Sequence, residues 1–354
     1  MSDIFILIPS LHPAGPVRGA IALANSLVSH RRVVLVVLKS GPQAHIPIHA
    51  KVEVLHLYEV GNWLKRLRFY KKHLRDSGKR KEVVSISSCF SPDVFNFLCR
   101  KHAITCSSVR GNLLQNYWFD YGFKGTLLAV SHLFLMRGFN HVVAMTEAMS
   151  KQVSRYLGRS PVVIGNFVDE KALEPFRRRH KNTGGYRFVF VGSLTKRKQP
   201  LALIEALEIL SAQGHEVFTD FIGDGPLRKD MEEELVRRKL TDKITLHGHL
   251  KDVHHLASTA DAFVLPSSSE GISRACLEAL YLGVPCVLRD VDGNGELIQN
   301  GATGFLFHDA SGLPAAMLSA AKLCRTKATS NSLLPSGFRQ DLATKAYLNL
   351  VEGV

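Results

Sequence analysis

Residues 261–287 read DAFVLPSSSEGISRACLEALYLGVPCV. An apolar strand ends at Pro266, a small polar loop follows, a helix begins near Ser273, and Pro285–Leu288 forms the next strand. Glu270 falls in the loop and Glu278 in the helix, eight residues on. The amides of Gly271, Ile272 and Ser273 stand at the helix start, where unsatisfied N–H groups suit a phosphate or a sugar hydroxyl. A carboxylate in such a loop can accept hydrogen bonds from a sugar, and one on the inward face of the helix can grip a ribose diol. Taken alone, Glu270 reads first as a cap and Glu278 as a solvated helix residue.

The same strand–helix alternation extends in both directions. Strands are expected at Ile4–Pro9, Val33–Leu38, Val83–Ser87, Ile104–Ser108, His141–Met145 and Val162–Ile164. Helices fit Arg18–Ser29 and Met149–Leu157, the latter stopped by Gly158. Residues 174–185, EPFRRRHKNTGG, read as a connector. Beyond it the alternation restarts, with strands at Arg187–Val191, Val217–Ile222, Ile244–Leu246 and Ala262–Leu265 and helices at Pro200–Gln213 and Leu277–Leu282. β-Branched runs of this kind suit parallel sheets buried on both faces. Two successive sets predict an α/β chain of two doubly wound, Rossmann-like domains, with ligands at the carboxyl ends of the strands.

With 354 residues the length fits two domains. Lys and Arg number 45 against 31 Asp and Glu, a formal charge of +14, while 45% apolar and 21% charged residues describe ordinary globular usage. The excess sits in residues 1–170, with 22 basic and 10 acidic residues. Its densest stretch, Lys65–Lys81 (KRLRFYKKHLRDSGKRK), is interrupted by Leu67, Phe69, Tyr70 and Leu74 and predicts a helix with a basic face. Such a face suits an anionic membrane surface; a solvated face and a nucleic-acid patch are the other readings, the last without any accompanying fold signature. No apolar run is long enough to span a bilayer, and Met1-Ser2-Asp3 has no basic region of a secretory signal, so neither a single-pass membrane protein nor a secreted one is expected. The six scattered cysteines form no CxxC pair and predict reduced thiols without a zinc site.

The E-x7-E pair is accompanied by further motifs in order. VGSLTKRKQPLALIEAL (191–207), FIGDGPLRKDMEEEL (221–235), ITLHGHLKDVHHLASTADAFVLPSSSEG (244–271) and VDGNGELIQNGATGFLF (291–307) surround it. PSLHPAGPVRGAIALANSL (9–27), VVAMTEAMSKQV (142–153) and VVIGNFVD (162–169) precede it. Together they resemble the retaining glycosyltransferases of family 4, glycosyl transferases group 1, over most of the chain. The resemblance implies the glycosyltransferase-B fold, two Rossmann-like domains facing a central cleft. Residues 1–166 would form the acceptor-binding domain, with a last helix at about 340–354 packing back on it, and 167–339 the nucleotide-sugar domain.

By resemblance, Lys198 is the lysine beside the nucleotide diphosphate, where a cation stabilises charge on the leaving group. The family's usual Arg after the first glycine is here Ser193, following Gly192; either Arg197 or Lys196 supplies the second cation, or the diphosphate is held less tightly. Gly192 and Gly223 would let backbone approach the ligand, and Asp224-Gly225-Pro226 forms the tight turn. The base would lie near Gly248 and His249. Glu270, with the amides of Gly271, Ile272 and Ser273, would orient the sugar, and Glu278 the ribose. Glu270, Lys198 and Arg197 are the candidate catalytic groups. On the acceptor side stand Gly15, Arg18 and Arg110. In SSVRGN (107–112), Arg110 occupies the place of a family histidine; it could bind donor phosphate or an acidic acceptor, or lie on the surface. His132 and His141 read as packed residues rather than substitutes for that histidine.

Retention without a carboxylate nucleophile implies front-face displacement, in which the diphosphate takes the acceptor's proton. The donor would be a UDP-sugar first and a GDP-sugar second, with no metal and no other cofactor. The acceptor would be a saccharide or lipid-linked saccharide in polysaccharide, lipopolysaccharide or glycolipid synthesis at the inner face of the cytoplasmic membrane, with no nucleic acid as partner. Asp290-Val291-Asp292 has the D-x-D form of a metal site but follows a late strand and reads as a loop. No P-loop, GxGxxG or GxSxG occurs. A nucleotide-sugar epimerase of the same architecture, or a non-catalytic protein binding anionic lipid or nucleic acid, are the competing classes.

Overall fold

The computed structural model describes residues 2–12, 14–41, 47–79, 82–177, 184–250, 252–326 and 331–352. Pro13, Arg80, Lys81, residues 178–183 of the connector, and Gly353 and Val354 of the expected last helix lie outside them. The chain forms two units, Met1–Phe167 with Gly337–Val354, and Val168–Ser336.

The first unit runs β1 (Asp3–Ile8), α1 (Gly15–Leu27), β2 (Val33–Val37), β3 (Glu53–His56), α2 (Trp63–Gly78), β4 (Val83–Ser87), α3 (Phe90–Cys99), β5 (Ile104–Val109), α4 (Leu113–Met136), β6 (His141–Ala144), α5 (Glu147–Leu157) and β7 (Val162–Val163). Its strands pair in parallel in the order β3-β2-β1-β4-β5-β6-β7. Every residue of β1 is buried, and its side chains alternate between two cores. Ile4, Ile6 and Ile8 pack with Val17, Ile21 and Ala24 of α1 and with Tyr347 and Val351 of the last helix, Gln340–Glu352. Phe5 and Leu7 face the other way, onto Leu67, Tyr70 and Leu74 of α2 and Phe95 and Cys99 of α3. The i, i+3, i+7 spacing in α2 is what turns the helix's charges outward, and the buried Tyr70 hydroxyl is satisfied by Ser85 Oγ at 2.7 Å.

The second unit runs α6 (Glu170–Leu173), β8 (Tyr186–Val191), α7 (Pro200–Ala212), β9 (Val217–Ile222), α8 (Arg228–Arg237), β10 (Ile244–Gly248), α9 (Val253–Ser258), β11 (Ala262–Leu265), α10 (Arg274–Tyr281), β12 (Cys286–Arg289), α11 (Asn294–Leu297), β13 (Gly304–Phe307) and α12 (Leu313–Thr326); Gln340–Glu352 of the first unit is α13. Its sheet, also parallel, has the order β10-β9-β8-β11-β12-β13. In both sheets the order reverses once, at β1/β4 and at β8/β11, where open α/β sheets have their ligand crevice.

The structure adds what periodicity leaves out. β3 and β13 are edge strands with partly exposed side chains. α4 bends at Gly122 (φ 59°) and returns so closely that a Cβ on Gly125 would lie 1.8 Å from the Tyr117 carbonyl oxygen. α1 begins at Gly15, three residues earlier than expected.

Candidate active site

The crevice of the second sheet lies between the loops after β8 and β11. The first loop makes a short 3-10 turn at Lys196–Lys198, passes through Gln199 in the left-handed region (φ 54°) and enters α7 with Pro200 in its first turn. The second is tied to it: Ser268 donates from its amide (2.9 Å) and its hydroxyl (3.1 Å) to the Arg197 carbonyl. This lacing delivers Lys198 Nζ and Arg197 Nη1 to one carboxylate oxygen, Glu270 Oε1, the arginine at 3.4 Å. Arg197 Nη1 also donates to the Ser269 carbonyl at 2.8 Å. Burial by itself raises the Glu270 carboxyl, but the charges of Lys198 and Arg197 more than offset it and hold it below its usual range. Two cations thus meet one carboxylate oxygen.

Asp292 of the D-x-D sequence braces this arrangement. Its Oδ2 accepts from Ser269 Oγ and from the Glu270 amide, both at 2.9 Å, with the backbone in the left-handed region (φ 48°). Spacing gave no hint of this contact, because 22 residues separate the partners. Among the described residues no three His, Cys, Asp or Glu side chains gather where an ion could sit.

The glycines of these loops are held by close backbone packing. A Cβ on Gly223 (φ 131°) would lie 2.1 Å from the Gly192 carbonyl oxygen, and one on Gly225 2.5 Å from that of Leu194. Both admit the close approach of neighbouring backbone. At Gly192 itself a Cβ would meet only ordinary contacts, the nearest at 3.7 Å. The Gly223 amide donates to the Gly248 carbonyl at 2.8 Å, the Leu194 amide to the Asp224 carbonyl at 3.0 Å, and the Gly225 amide to Asp224 Oδ1 at 2.7 Å. Loops after β8, β9 and β10 are therefore stitched into one rim. Ser193 sits on that rim with its carbonyl accepting from Thr195, and His249 lies exposed just past β10.

α10 starts as expected, with Ser273 Oγ accepting from the Cys276 amide at 3.4 Å, and buried Gly271 and Ile272 lead into it. Glu278 faces His254 Nε2 of α9 at 3.3 Å and Arg274 Nη2 at 3.8 Å. Of these two partners, Arg274 was findable from its i, i+4 spacing; His254 needed the packing of α9 on α10.

At the corresponding edge of the first sheet the predicted residues separate. Gly15 is the exposed first residue of α1 with open space around its Cα, not part of a loop, and Arg18 points to solvent. Arg110 follows β5 and lies over Gly19, where a Cβ would come within 3.0 Å of Nη1. His132 is buried, its Nε2 2.7 Å from Asp93 Oδ2 and its Nδ1 3.0 Å from the Tyr117 hydroxyl. His141 is half-buried at the start of β6, and burial lowers its pKa. Five of the six cysteines are buried and all are free; Cys89 is half-buried.

The family model for glycosyl transferases group 1 matches residues 173–318, the stretch that holds this entire cluster. A UDP-Gal:alpha-D-GlcNAc-diphosphoundecaprenol alpha-1,3-galactosyltransferase of Escherichia coli is 34% identical over 34% of this chain and 32% of its own length. The lipopolysaccharide core biosynthesis glycosyltransferase LpsD of Rhizobium meliloti is 28% identical over 62% of this chain and 66% of its own. The chain thus spans less than two thirds of either relative's length. Among solved structures, Anabaena HepE in complex with UDP and glucose superposes with a TM-score of 0.78 at 17% identity, covering both chains completely. Sucrose-phosphate synthase from Thermosynechococcus elongatus gives 0.77 at 14% identity, covering 100% of this chain and 99% of its own. The fold is that of the glycosyltransferase-B enzymes.

Proposed function

We propose that the chain is a retaining glycosyltransferase that moves a sugar from a nucleotide-sugar to a saccharide or lipid-linked saccharide. The observation that carries this reading is the meeting of Lys198, Arg197 and Glu270 at the reversal point of the second sheet. With a UDP-sugar bound there, Lys198 and Arg197 would neutralise charge building on the leaving diphosphate, the role a metal fills in other transferases. Glu270, fixed by Asp292 through its own amide, would accept from the sugar hydroxyls. Glu278, oriented by His254 and Arg274, would take the ribose diol. The two carboxylates gathered here among the described residues are both engaged, Glu270 with Lys198 and Arg197 and Asp292 with the Ser269 hydroxyl and the Glu270 amide, which fits front-face displacement: the acceptor hydroxyl attacks on the leaving-group side, the C1–O bond to the diphosphate breaks, and a diphosphate oxygen takes the proton. UDP is favoured over GDP because HepE was crystallised with UDP and glucose and the Escherichia coli relative is named for UDP-Gal.

Calorimetric titration with UDP, GDP, CDP and NAD, with and without EDTA, tests the donor site. Selective binding of UDP, unaffected by EDTA and weakened at least tenfold by Glu278→Ala (about 1.4 kcal/mol), is expected. Equal or absent binding of all four would reject it.

The acceptor setting is proposed to be an anionic membrane surface. α2 exposes Lys65, Arg68, Lys72, Arg75 and Lys79, beside Trp63 and Leu64. Arg66 is excluded from that face, since it donates to the carbonyls of Gly61, Leu38 and Tyr58. Trp118, Tyr121 and Phe123 at the bend of α4 are more than half exposed, at 54, 61 and 71%. No helix among the described residues is long and apolar enough to cross a membrane, so attachment would be peripheral, at about 1 kcal/mol per basic residue near the headgroups. Vesicles containing anionic lipid should sediment the protein and zwitterionic ones should not. Sedimentation that is equal on both would exclude the basic face.

A further inference from the structure

We propose that the first unit carries an oxyanion site of its own, centred on Arg110, which holds a phosphate or carboxylate of the acceptor. The assignment to the acceptor rests on the glycosyltransferase reading; the site itself rests on the following geometry.

Arg110 leaves the carboxyl end of β5, next to β4 at the reversal point of the first sheet, where ligands of open α/β sheets bind. Its guanidinium lies flat against α1 at Gly19, the nearest approach to an ideal Cβ there being 3.0 Å for Nη1 and 3.4 Å for Cζ. A Cβ at 19 would make the guanidinium give by a few tenths of an ångström. So placed, it is poorly served: Nε is buried without an acceptor, and Nη1 reaches only the Met145 sulfur at 3.8 Å. Several other arginines of the structure have carboxylates. Arg32 has Asp3 and Glu53, Arg325 has Asp261, and Arg238 has Glu205, Glu208 and Glu234. Among the described residues no carboxylate pairs with Arg110.

Its surroundings cannot supply the missing charge. Burial, with the nearby Asp93 charge, pushes the Cys89 thiol up to about 11 and the Cys106 thiol to about 12, although Arg110 pulls both the other way. Burial also raises the Tyr347 phenol. These neighbours stay neutral at physiological pH. Asp93 is already committed to Ser87, Ser107 and His132. A half-buried guanidinium without a counter-charge is costly to keep, and the cost is offset when an oxyanion arrives. α1 points the same way: its N-cap is Ala14, no side chain caps it, and its first turn holds no acidic residue, so its positive end favours the same sign of ligand.

The test titrates the full chain, saturated with UDP, with glucose 6-phosphate, glucuronate and methyl glucoside. Glucose 6-phosphate or glucuronate should bind and methyl glucoside should not; which of the two binds distinguishes phosphate from carboxylate as the source. Arg110→Gln should weaken that binding at least tenfold, and Lys198→Gln should leave it within twofold. Gly19→Ala, which keeps the charge but displaces it, should weaken it as well and guards against misfolding of the Arg110 variant. Binding that survives Arg110→Gln, or that disappears with Lys198→Gln instead, overturns the proposal, as does the absence of anion binding to the wild type. The two readings fail separately: loss of UDP binding with Arg110-dependent anion binding intact removes the donor site and leaves this one.

Discussion

The carboxyl edges of the two sheets are built alike and charged differently. In the second unit, Lys198 and Arg197 converge on the buried Glu270, which Asp292 fixes through its amide. In the first, Arg110 sits at the equivalent reversal with a thioether as its only hydrogen-bond partner among the described residues. A cation with a carboxylate is positioned before any ligand arrives, at a desolvation cost shared with its partner. A cation without one keeps its full attraction for an anion and lowers the stability of the empty protein. The second edge suits precise orientation of a reacting diphosphate, and the first suits capture of a charged substrate.

Several substitutions would break or sharpen this contrast. Lys198→Met should have the largest effect, lowering transfer by about 10²–10³-fold in an initial-rate assay with saturating donor. Gly223→Ala comes next, because its Cβ would collide with the Gly192 carbonyl oxygen in a backbone region with φ 131°; a loss of about 3 kcal/mol in chemical denaturation is expected. Glu270→Gln leaves two cations facing a neutral amide and should cost about 3 kcal/mol. Arg110→Met should leave the protein at least as stable, by about 1 kcal/mol at most; equal destabilisation by these last two would erase the distinction between the edges. The smallest effect is in pH dependence. The Glu270 carboxyl is depressed in the folded protein from its ordinary value of 4.5, so its contribution is complete above that value and is lost as pH falls below it through the folded value. Denaturation at a series of pH values below 5 should show a shallower decline for Glu270→Gln than for the wild type.

Much of the second edge was legible in the sequence because each group lies in a local motif, although Lys198 meets Glu270 across 72 residues. Glu270 and Glu278 share one strand–loop–helix, and Lys198 follows a strand whose loop is short. The α/β alternation was legible for the same reason: buried parallel strands such as Asp3–Ile8 are apolar runs between turn residues. What escaped depends on approach over distance. Asp292 supports Glu270 across 22 residues, and Gly223 and Gly225 are glycines because of the carbonyls at 192 and 194, which a motif does not reveal. Arg110 was visible as a departure, whereas its seat on Gly19 required the packing of α1 against the sheet. β3 (EVLH) and β13 (GFLF) escaped because neither carries the run of branched apolar residues that marks the interior.

The most direct measurement of the central claim is amide hydrogen exchange of the full chain with and without UDP. Protection should appear at residues 192–199 and 266–281 and leave 107–112 unchanged. Protection at 107–112 with none at 192–199 or 266–281 would contradict the assignment of the donor to the Lys198–Glu270 edge.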